Sequence, residues 1–268
     1  GKIIARKKLP TQAVEGQEVI INNIETTINS VLEQSQVDKE KIEKIGIGSP
    51  GPLSTKKGVI YETANLPWEN VPIVEIMEAK TGIPVKLEND ANAAGLGEKW
   101  FGAGREVDDL IYITVSTGVG GGIVINKRPL HGFDGAAGEI GHMTIKPDGP
   151  QCGCGNYGCL ESFASGTAIA REGRNAMSIG TSSKLAEMSD NDPRNIDALM
   201  VAQAAFAGCE VCKKIYKDAG YYLGIGIANL INIFNPEMIV MGGGIMKDEE
   251  LFREEMEKSI KERALASS

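Results

Sequence analysis

The sequence has no apolar run long enough to cross a bilayer and no signal-peptide pattern at its beginning. It also lacks a dense run of lysine and arginine, and its formal net charge is −8. A nucleic-acid surface needs a basic face, so we predict neither a membrane partner nor a nucleic-acid partner. A small anionic ligand held by backbone amides remains compatible with this charge.

Cysteine and histidine are scarce, with five cysteines and two histidines in the chain. Cys152, Cys154 and Cys159 share one glycine-rich segment, and His142 precedes them. Three thiolates and one imidazole form a closed ligand set that suits tetrahedral zinc and leaves no position for a catalytic water. A disulfide is the alternative, but one-residue spacing strains a Cys152–Cys154 bridge, and three thiols cannot pair evenly. We therefore predict one structural Zn²⁺, bound by these four residues.

The remaining cysteines, Cys209 and Cys212, lie in a helical pattern, and we assign them to packing. Free thiols fit a reducing compartment, so we predict a cytoplasmic protein. The composition is 42% hydrophobic and 24% charged, which is typical of a globular protein. A chain of this length has room for two domains of ordinary size.

Hydrophobic periodicity predicts helices and strands that alternate along the chain. The predicted helices cover residues 17–35, 72–81 and 90–100, and two more lie within 195–234. The predicted strands cover residues 42–47, 84–88, 110–115, 122–125 and 238–241. This alternation favours an α/β architecture, with a change of domain near residues 104–108.

The 33 glycines gather in the segments between these elements, where backbone must approach a ligand or take positive φ. The segment Ser116–Gly121 joins two predicted strands, and its amides and hydroxyls could hold a phosphate. The triplet Gly242–Gly244 follows a buried strand, which fits close approach of a flat or phosphorylated ligand.

Five motifs together resemble those of the ROK family of sugar kinases and repressors, most closely its bacterial glucokinases. The motifs are Glu88-Asn-Asp-Ala-Asn92, Gly118-Val-Gly-Gly-Gly-Ile123, Gly138-Glu-Ile-Gly-His142, the Cys152–Glu161 loop and Met241-Gly-Gly-Gly244. The resemblance implies an α/β, actin-like (ribonuclease H-like) sugar-kinase fold whose two domains close on sugar and nucleotide. We place a small α/β domain at residues 1–106. A large α/β domain at residues 107–268 carries the zinc loop and the adenosine-binding glycines.

The resemblance also implies ATP-dependent phosphorylation of glucose at its 6-hydroxyl, giving glucose 6-phosphate and ADP. It makes Asp90 the catalytic base that accepts the hydroxyl proton, although an aspartate at this position could instead cap a helix. The implied sugar-binding residues are Ser49, Gly51, Asn89, Asp90, Glu139, His142 and Glu161. Support of the zinc ligands is the alternative role of the two glutamates. His131 has no partner in this pattern, and we interpret it as an ordinary loop residue.

For ATP, the resemblance places the phosphates at Thr117, Gly118 and Gly120, and the adenosine at Gly243 and Gly244. Mg²⁺ is expected to bridge the phosphates. Its usual anchor is an Asp-x-Gly-Gly-Thr loop, and we expect this chain to begin after that loop and to end before the usual C-terminal helix. Such a piece would have little activity alone. We also expect a homodimer or a higher homo-oligomer.

Two alternatives stay open within the family. One is a transcriptional repressor that binds a sugar inducer, and the other is a kinase of another hexose: fructose, mannose, allose or N-acetylmannosamine. The presence of Asp90 and of the glycine-rich phosphate segment favours a kinase. Which sugar hydroxyls a site accepts depends on small differences in the positions of its side chains, so the sequence distinguishes the candidate sugars poorly.

Overall fold

Two separate apolar clusters form the cores of the molecule. The computed structural model describes residues 2–61, 66–133 and 135–265. The smaller cluster surrounds Ile60, Ile73 and Met77, all fully buried, and draws on the first third of the chain. The larger cluster surrounds the fully buried Ile113 and Tyr216 and draws on the remainder. Two cores in one chain agree with the α/β organisation in two parts that the alternation predicts.

Helices and strands alternate through both parts. In the described residues the helices are α1 (Gln17–Ser35), α2 (Ile73–Thr81), α3 (Asp90–Phe101), α4 (Glu161–Ala164), α5 (Gly166–Ser178), α6 (Ser183–Met188), α7 (Ala198–Phe206), α8 (Glu210–Phe234) and α9 (Arg253–Arg263). The strands there are β1 (Ile45–Ser49), β2 (Leu53–Ser54), β3 (Val59–Ile60), β4 (Val85–Asn89), β5 (Leu110–Val115), β6 (Val119–Ile125), β7 (Arg128–Pro129) and β8 (Met238–Gly242). Within these residues, no helix has both the length and the apolar character needed to span a membrane.

Most predicted elements agree with the structure. Helix α1 and strand β5 have the predicted bounds. The elements α2, α3 and β8 differ from their predictions by one residue at one end, and β4 is shifted by one residue at both ends. Strand β1 starts three residues later than predicted, at Ile45. The reason is local: the Ile42 N–H donates to the Lys39 carbonyl and closes a 3₁₀ turn, so Ile42 belongs to the turn. The packing role of Cys212 is also confirmed, since it is fully buried in the larger core.

Strand β6 is longer than predicted because Val119, Gly120 and Gly121 belong to the strand and not to the preceding loop, whereas Gly122 has its predicted place in the strand. A Cβ on Gly122 would collide with the carbonyl oxygen of Ala91, in the first turn of α3. A Cβ on Gly95 would lie 3.3 Å from the Cβ of Tyr112 on β5. Glycine in β6 therefore lets α3 lie directly on the sheet.

Helix α9 was not predicted from the sequence, because its pattern is dominated by charged residues. It packs on α8, where two glycines allow close contact between the helices. A Cβ on Gly220 would lie 2.6 Å from the carbonyl oxygen of Phe252, and one on Gly224 would lie 2.5 Å from that of Met256. Of the residues of α9, Met256 and Ser259 are buried by this contact.

Strand pairing determines which loops meet. Strands β1 and β4 are parallel, with Ser49 opposite Asn89. In the four-stranded sheet, ordered β7-β6-β5-β8, β5 and β8 are parallel, with Thr114 opposite Gly242. In α/β folds, ligands bind beyond the carboxyl ends of parallel strands. Here those ends carry the Ser49–Gly51 loop and the motifs at Asn89, Ser116 and Gly243. The predicted boundary between residues 106 and 107 stays a prediction.

The contact between β6 and α3 leads to a stability prediction. We expect Gly122→Ala to lower the free energy of unfolding by about 3 kcal/mol, because the new methyl group meets backbone that cannot move alone. Gly97→Ala is the matched control, since a Cβ on Gly97 in α3 meets nothing within 4 Å. It should be neutral or stabilise the protein by up to about 1 kcal/mol. Urea unfolding of the three proteins measures both changes, and equal stability of the two variants would contradict this account of the packing.

Candidate functional site

The junction of β4 and α3 presents Asn89 and Asp90. The Asn89 Oδ1 accepts hydrogen bonds from the N–H groups of Ala91, at 2.9 Å, and of Asn92, at 3.1 Å. Asn89 is therefore the N-cap of α3. Asp90 is exposed, and its Oδ1 accepts only from the Ala91 N–H, at 2.8 Å. Since Asn89 performs the capping, the helix does not require the Asp90 carboxylate.

Gly51 lies between two of the predicted sugar-binding side chains. A Cβ on Gly51 would be 3.7 Å from the Asn89 Nδ2 and 3.8 Å from the Glu139 Oε1. The amide donor and the carboxylate acceptor therefore face the same small space. Ser49 is placed differently: it is buried, its Oγ donates to the Pro50 carbonyl at 3.1 Å, and it lines a separate groove beside β1.

A short 3₁₀ turn, Ile140–His142, places Glu139 and His142 beside β6. Gly141 contacts the backbone of Val119 so closely that a Cβ there would collide with the Val119 carbonyl oxygen. Gly138 has φ +92°, which favours glycine, and a Cβ on it would lie 3.0 Å from the Gly121 carbonyl oxygen. The glycines of the Gly138–His142 motif therefore allow this turn to lie in direct contact with the backbone of β6.

These elements enclose a cavity of about 490 Å³. Its lining includes the predicted residues Gly51, Asn89, Asp90, Thr117, Gly118, Gly120, Glu139, His142 and Glu161. A second cavity, of about 730 Å³, shares Gly51, Asn89, Glu139 and His142 with the first and extends towards His131. The two cavities thus form one continuous space, which is lined by predicted sugar-binding residues and by predicted phosphate-binding residues. Ser49 lines neither cavity.

The turn between β5 and β6 is the candidate phosphate loop. Among the described residues, no hydrogen bond engages the N–H of Thr117 or of Gly118. Two hydrogen bonds to later parts of the chain hold this loop in place. Thr167 donates its Oγ1–H to the Thr117 carbonyl at 2.8 Å, and the Val119 N–H donates to the Glu161 Oε2 at 2.9 Å. A Cβ on Gly118 would collide with that carboxylate. The loop can therefore offer unpaired amides to an anion from a fixed backbone.

Gly243 and Gly244 lie behind this loop, outside the residues that line the cavity. A Cβ on Gly243 would lie 2.6 Å from the carbonyl carbon of Val115, so only glycine fits beside the end of β5. A Cβ on Gly244 would lie 3.8 Å from the Oγ of Ser116, which does line the cavity. The adenosine role of both glycines stays a prediction.

The candidate metal centre brings together the four predicted ligands. The ligand atoms of His142, Cys152, Cys154 and Cys159 all lie within 4.8 Å of one another. Zinc–sulfur bonds of about 2.3 Å in a tetrahedron put two sulfurs about 3.8 Å apart. The Sγ atoms of Cys154 and Cys159 are 3.8 Å apart, and the Cys152 Sγ is 3.7 Å from the His142 Nδ1. The donor set therefore fits zinc in both chemistry and spacing.

Thiol electrostatics in the cluster differ from residue to residue. Burial raises the pKa of the Cys159 thiol to about 12, while the Asn156 backbone N–H lowers the pKa of the exposed Cys154 thiol. A bound cation deprotonates a coordinating thiol outright, which would override both shifts. Glu161 lies two residues after Cys159 in the chain, and its Oε2 accepts from the Val119 N–H at 2.9 Å. This residue therefore joins the metal cluster to the candidate phosphate loop.

The interpretation of His131 as an unpartnered loop residue is wrong. Its Nε2 lies 2.8 Å from the Oε2 of Glu88, in the motif that carries Asn89 and Asp90. The sequence gives no local signal for this pair, because the two residues come together only when the sheets pack. Thr167 was missed for the same reason, since it lies outside the five motifs and reaches Thr117 only through tertiary folding.

Comparison with known proteins places these features in a family. The ROK family model matches residues 1–268. A glucokinase of Halalkalibacterium halodurans is 41% identical over 249 residues, covering 92% of this chain and 75% of that protein. A xylose repressor of Caldicellulosiruptor bescii is 36% identical over 264 residues, covering 98% of this chain and 66% of that protein. The chain thus spans just under two thirds of the repressor's length.

Solved structures agree with this placement. The structure of a ROK family glucokinase from Streptomyces griseus, in complex with glucose and AMPPNP, matches with a TM-score of 0.84 and 32% identity. The match covers 99% of this chain and 83% of the Streptomyces protein. The predicted actin-like α/β fold is confirmed by this likeness.

Proposed function

The chain belongs to the ROK family, and from that premise we propose that it phosphorylates glucose at the 6-hydroxyl with ATP, giving glucose 6-phosphate and ADP. One observation carries the proposal: a single cavity is lined by a free carboxylate, by hydroxyl-binding side chains and by a glycine turn with unpaired amides. Phosphoryl transfer needs these three elements in one place.

Asp90 accepts the proton of the attacking sugar hydroxyl. Its carboxylate suits this role because Asn89 caps α3 and leaves Asp90 exposed to the cavity. Asn89, through its Nδ2, and Glu139, through its carboxylate, orient other hydroxyls on either side of Gly51. Sugar hydroxyls donate and accept hydrogen bonds in fixed directions. An amide NH₂ can donate to a hydroxyl oxygen, and a neighbouring carboxylate can accept from a hydroxyl O–H. Holding the hydroxyl in this way supplies the positioning on which such reactions depend.

The β5–β6 turn receives the phosphates through the N–H groups of Thr117 and Gly118, with Gly120 allowing close approach. The adenosine lies towards Gly243 and Gly244, beside the end of β5. Mg²⁺ neutralises charge on the phosphates when MgATP is bound. The first cavity reaches from Asp90 to this turn, which supports the binding of both substrates in one space.

Zn²⁺ bound by His142, Cys152, Cys154 and Cys159 has a structural role in this proposal. A closed ligand set supplies no catalytic water, and it stabilises the fold of the loop that holds it. Glu161 follows the ligand Cys159 by two residues and holds the Val119 N–H, so an ordered zinc loop also orders this part of the cavity wall. We also propose a cytoplasmic location, since this centre needs reduced thiols, and a homodimer or higher homo-oligomer as the working state.

An ADP-release assay of the purified protein with a panel of hexoses tests the proposal. We expect glucose to give the highest kcat/KM, ahead of fructose, mannose, allose and N-acetylmannosamine. Preference for one of those sugars would correct the substrate and keep the kinase. The likeness to a xylose repressor supports one other candidate. Absence of ADP release with every hexose, together with sugar-sensitive binding to a specific operator, would replace the kinase by a repressor.

A further inference from the structure

Glu88 gathers three hydrogen bonds from three parts of the candidate site. Its Oε1 accepts from the backbone N–H of Asn89 at 3.0 Å and from the Nδ2 of Asn92 at 3.2 Å. Its Oε2 accepts from the Nε2 of His131 at 2.8 Å. An ionised carboxylate can only accept hydrogen bonds, so the His131 Nε2 carries a proton. Glu88 therefore ties the backbone of Asn89 and the first turn of α3 to the segment after β7.

The segment that begins at His131 ends at the predicted sugar ligand Glu139. The His131 carbonyl accepts from the Ala137 N–H at 3.2 Å, which turns the segment back towards β6. Next to Ala137, a Cβ on Gly138 would lie 3.8 Å from the Asn92 Oδ1. Asn92 is 2% exposed, and its Oδ1 has no hydrogen-bond partner among the described residues. Asn92 therefore contacts Glu88 through its nitrogen and lies beside the glycine that precedes Glu139.

We propose that Glu88 and His131 are positioning residues for the sugar. They hold the Asn89–Asp90 junction and the segment carrying Glu139 at a fixed separation, on the two sides of Gly51. The inference rests on the proposed function, because it assumes that these side chains bind one sugar. A purely stabilising ion pair is the alternative. The side chains of His131 and Glu88 are 35% and 21% exposed, and pairs this exposed contribute little to stability. A small displacement of a reacting group, by contrast, strongly affects rate.

Kinetics of His131 variants test the proposal. In His131→Ala, kcat/KM for the sugar should fall by about 10²-fold, the effect of misplacing reacting groups by roughly 1 Å. Both kcat and the sugar KM should change, while the KM for ATP should stay within about twofold, since the pair contacts the sugar side of the cavity. His131→Gln should recover most of the loss, because a glutamine amide N–H can reach the same carboxylate oxygen.

Lys80→Ala is the matched control. It breaks the ion pair of Lys80 with Glu25, at 2.6 Å and with side chains 33% and 30% exposed, and neither residue lines either cavity of the candidate site. It should leave kcat and both KM values unchanged. If His131→Ala shifts Tm but has the kinetics of Lys80→Ala, the pair is only structural and the proposal is wrong.

Calorimetric titration with glucose separates this proposal from the kinase assignment. If the native protein binds glucose without releasing ADP, the kinase is wrong and the positioning is tested by affinity. His131→Ala should then weaken glucose binding at least about tenfold, and His131→Gln should weaken it less. Unchanged affinity in His131→Ala would overturn the positioning role. If the native protein neither phosphorylates nor binds any hexose of the panel, both proposals are wrong.

Discussion

Replacing Asp90 by asparagine should lower kcat by about 10²-fold or more, the usual contribution of a positioned base. Asparagine keeps the shape and the hydrogen-bonding capacity of the side chain but cannot take the hydroxyl proton at neutral pH. The sugar KM should therefore change little. Helix α3 should also remain intact, because Asn89 performs the capping through its bonds to Ala91 and Asn92. Steady-state kinetics with varied sugar at saturating ATP measure both constants.

Asp197→Asn provides the control for this change. Asp197 is the N-cap of α7, where its Oδ1 accepts from the Met200 N–H at 2.8 Å, and it does not line the cavity. The same chemical change there should leave kcat as in the native protein, since asparagine caps helices as well as aspartate does. If Asp90→Asn keeps its kcat and instead raises the sugar KM, Asp90 is a sugar ligand and not the base.

The local pattern of apolar residues was sufficient to predict the helices and strands whose buried residues recur at a regular spacing. Helix α1 repeats its apolar residues at helical spacing, and β5 is a continuous run of β-branched, aliphatic and aromatic residues. Strand β6 shows the limit of this reasoning. Gly120 and Gly121 have low strand propensity and were predicted to lie in the preceding loop, yet both belong to the strand. A Cβ on Gly120 would lie 3.4 Å from the Cβ of Ala91 in α3, and one on Gly121 would lie 2.6 Å from the Ile140 side chain. The space that requires glycine is therefore set by residues distant in sequence, which no local window contains.

The candidate site likewise contains residues whose gathering could be predicted from the sequence and residues for which it could not. The clustering of His142, Cys152, Cys154 and Cys159 could be predicted because the chemistry of thiolates and imidazole restricts which groups can share one ion, whatever the surrounding fold. Zinc binding by these residues stays a prediction. The gathering of Asp90, Glu139 and Thr117 around one cavity could not be worked out from their spacing, and only the family resemblance suggested it. His131 had neither kind of support. Its partner Glu88 lies on strand β4, whereas His131 lies in the loop after β7, and their contact depends on how these two parts of the chain pack together.

Cys154→Ser should remove the zinc ion and raise the sugar KM by about tenfold or more. Cys154 is exposed, so replacing its sulfur by oxygen leaves no buried cavity, and the loss can be assigned to the metal. Serine is a poor zinc ligand, and three remaining ligands cannot close the site. Elemental analysis should find about one zinc per native chain and much less in the variant. The expected effect on the sugar follows from His142, which is a ligand and also lines the cavity.

The structure adds an expectation for ATP. Glu161 lies two residues after the ligand Cys159 and accepts from the Val119 N–H, so disorder in the cluster should also loosen the turn that holds the phosphates. The KM for ATP should rise in Cys154→Ser, but less than the KM for the sugar, because the turn is also held by Thr167. Cys209→Ser is the control: it alters a thiol outside the cluster, which contacts the Ser182 Oγ at 3.4 Å, and it should keep both zinc and activity. A metal-free native protein with full activity and an unchanged sugar KM would refute the structural role of zinc, because the cavity would then keep its shape without the ion.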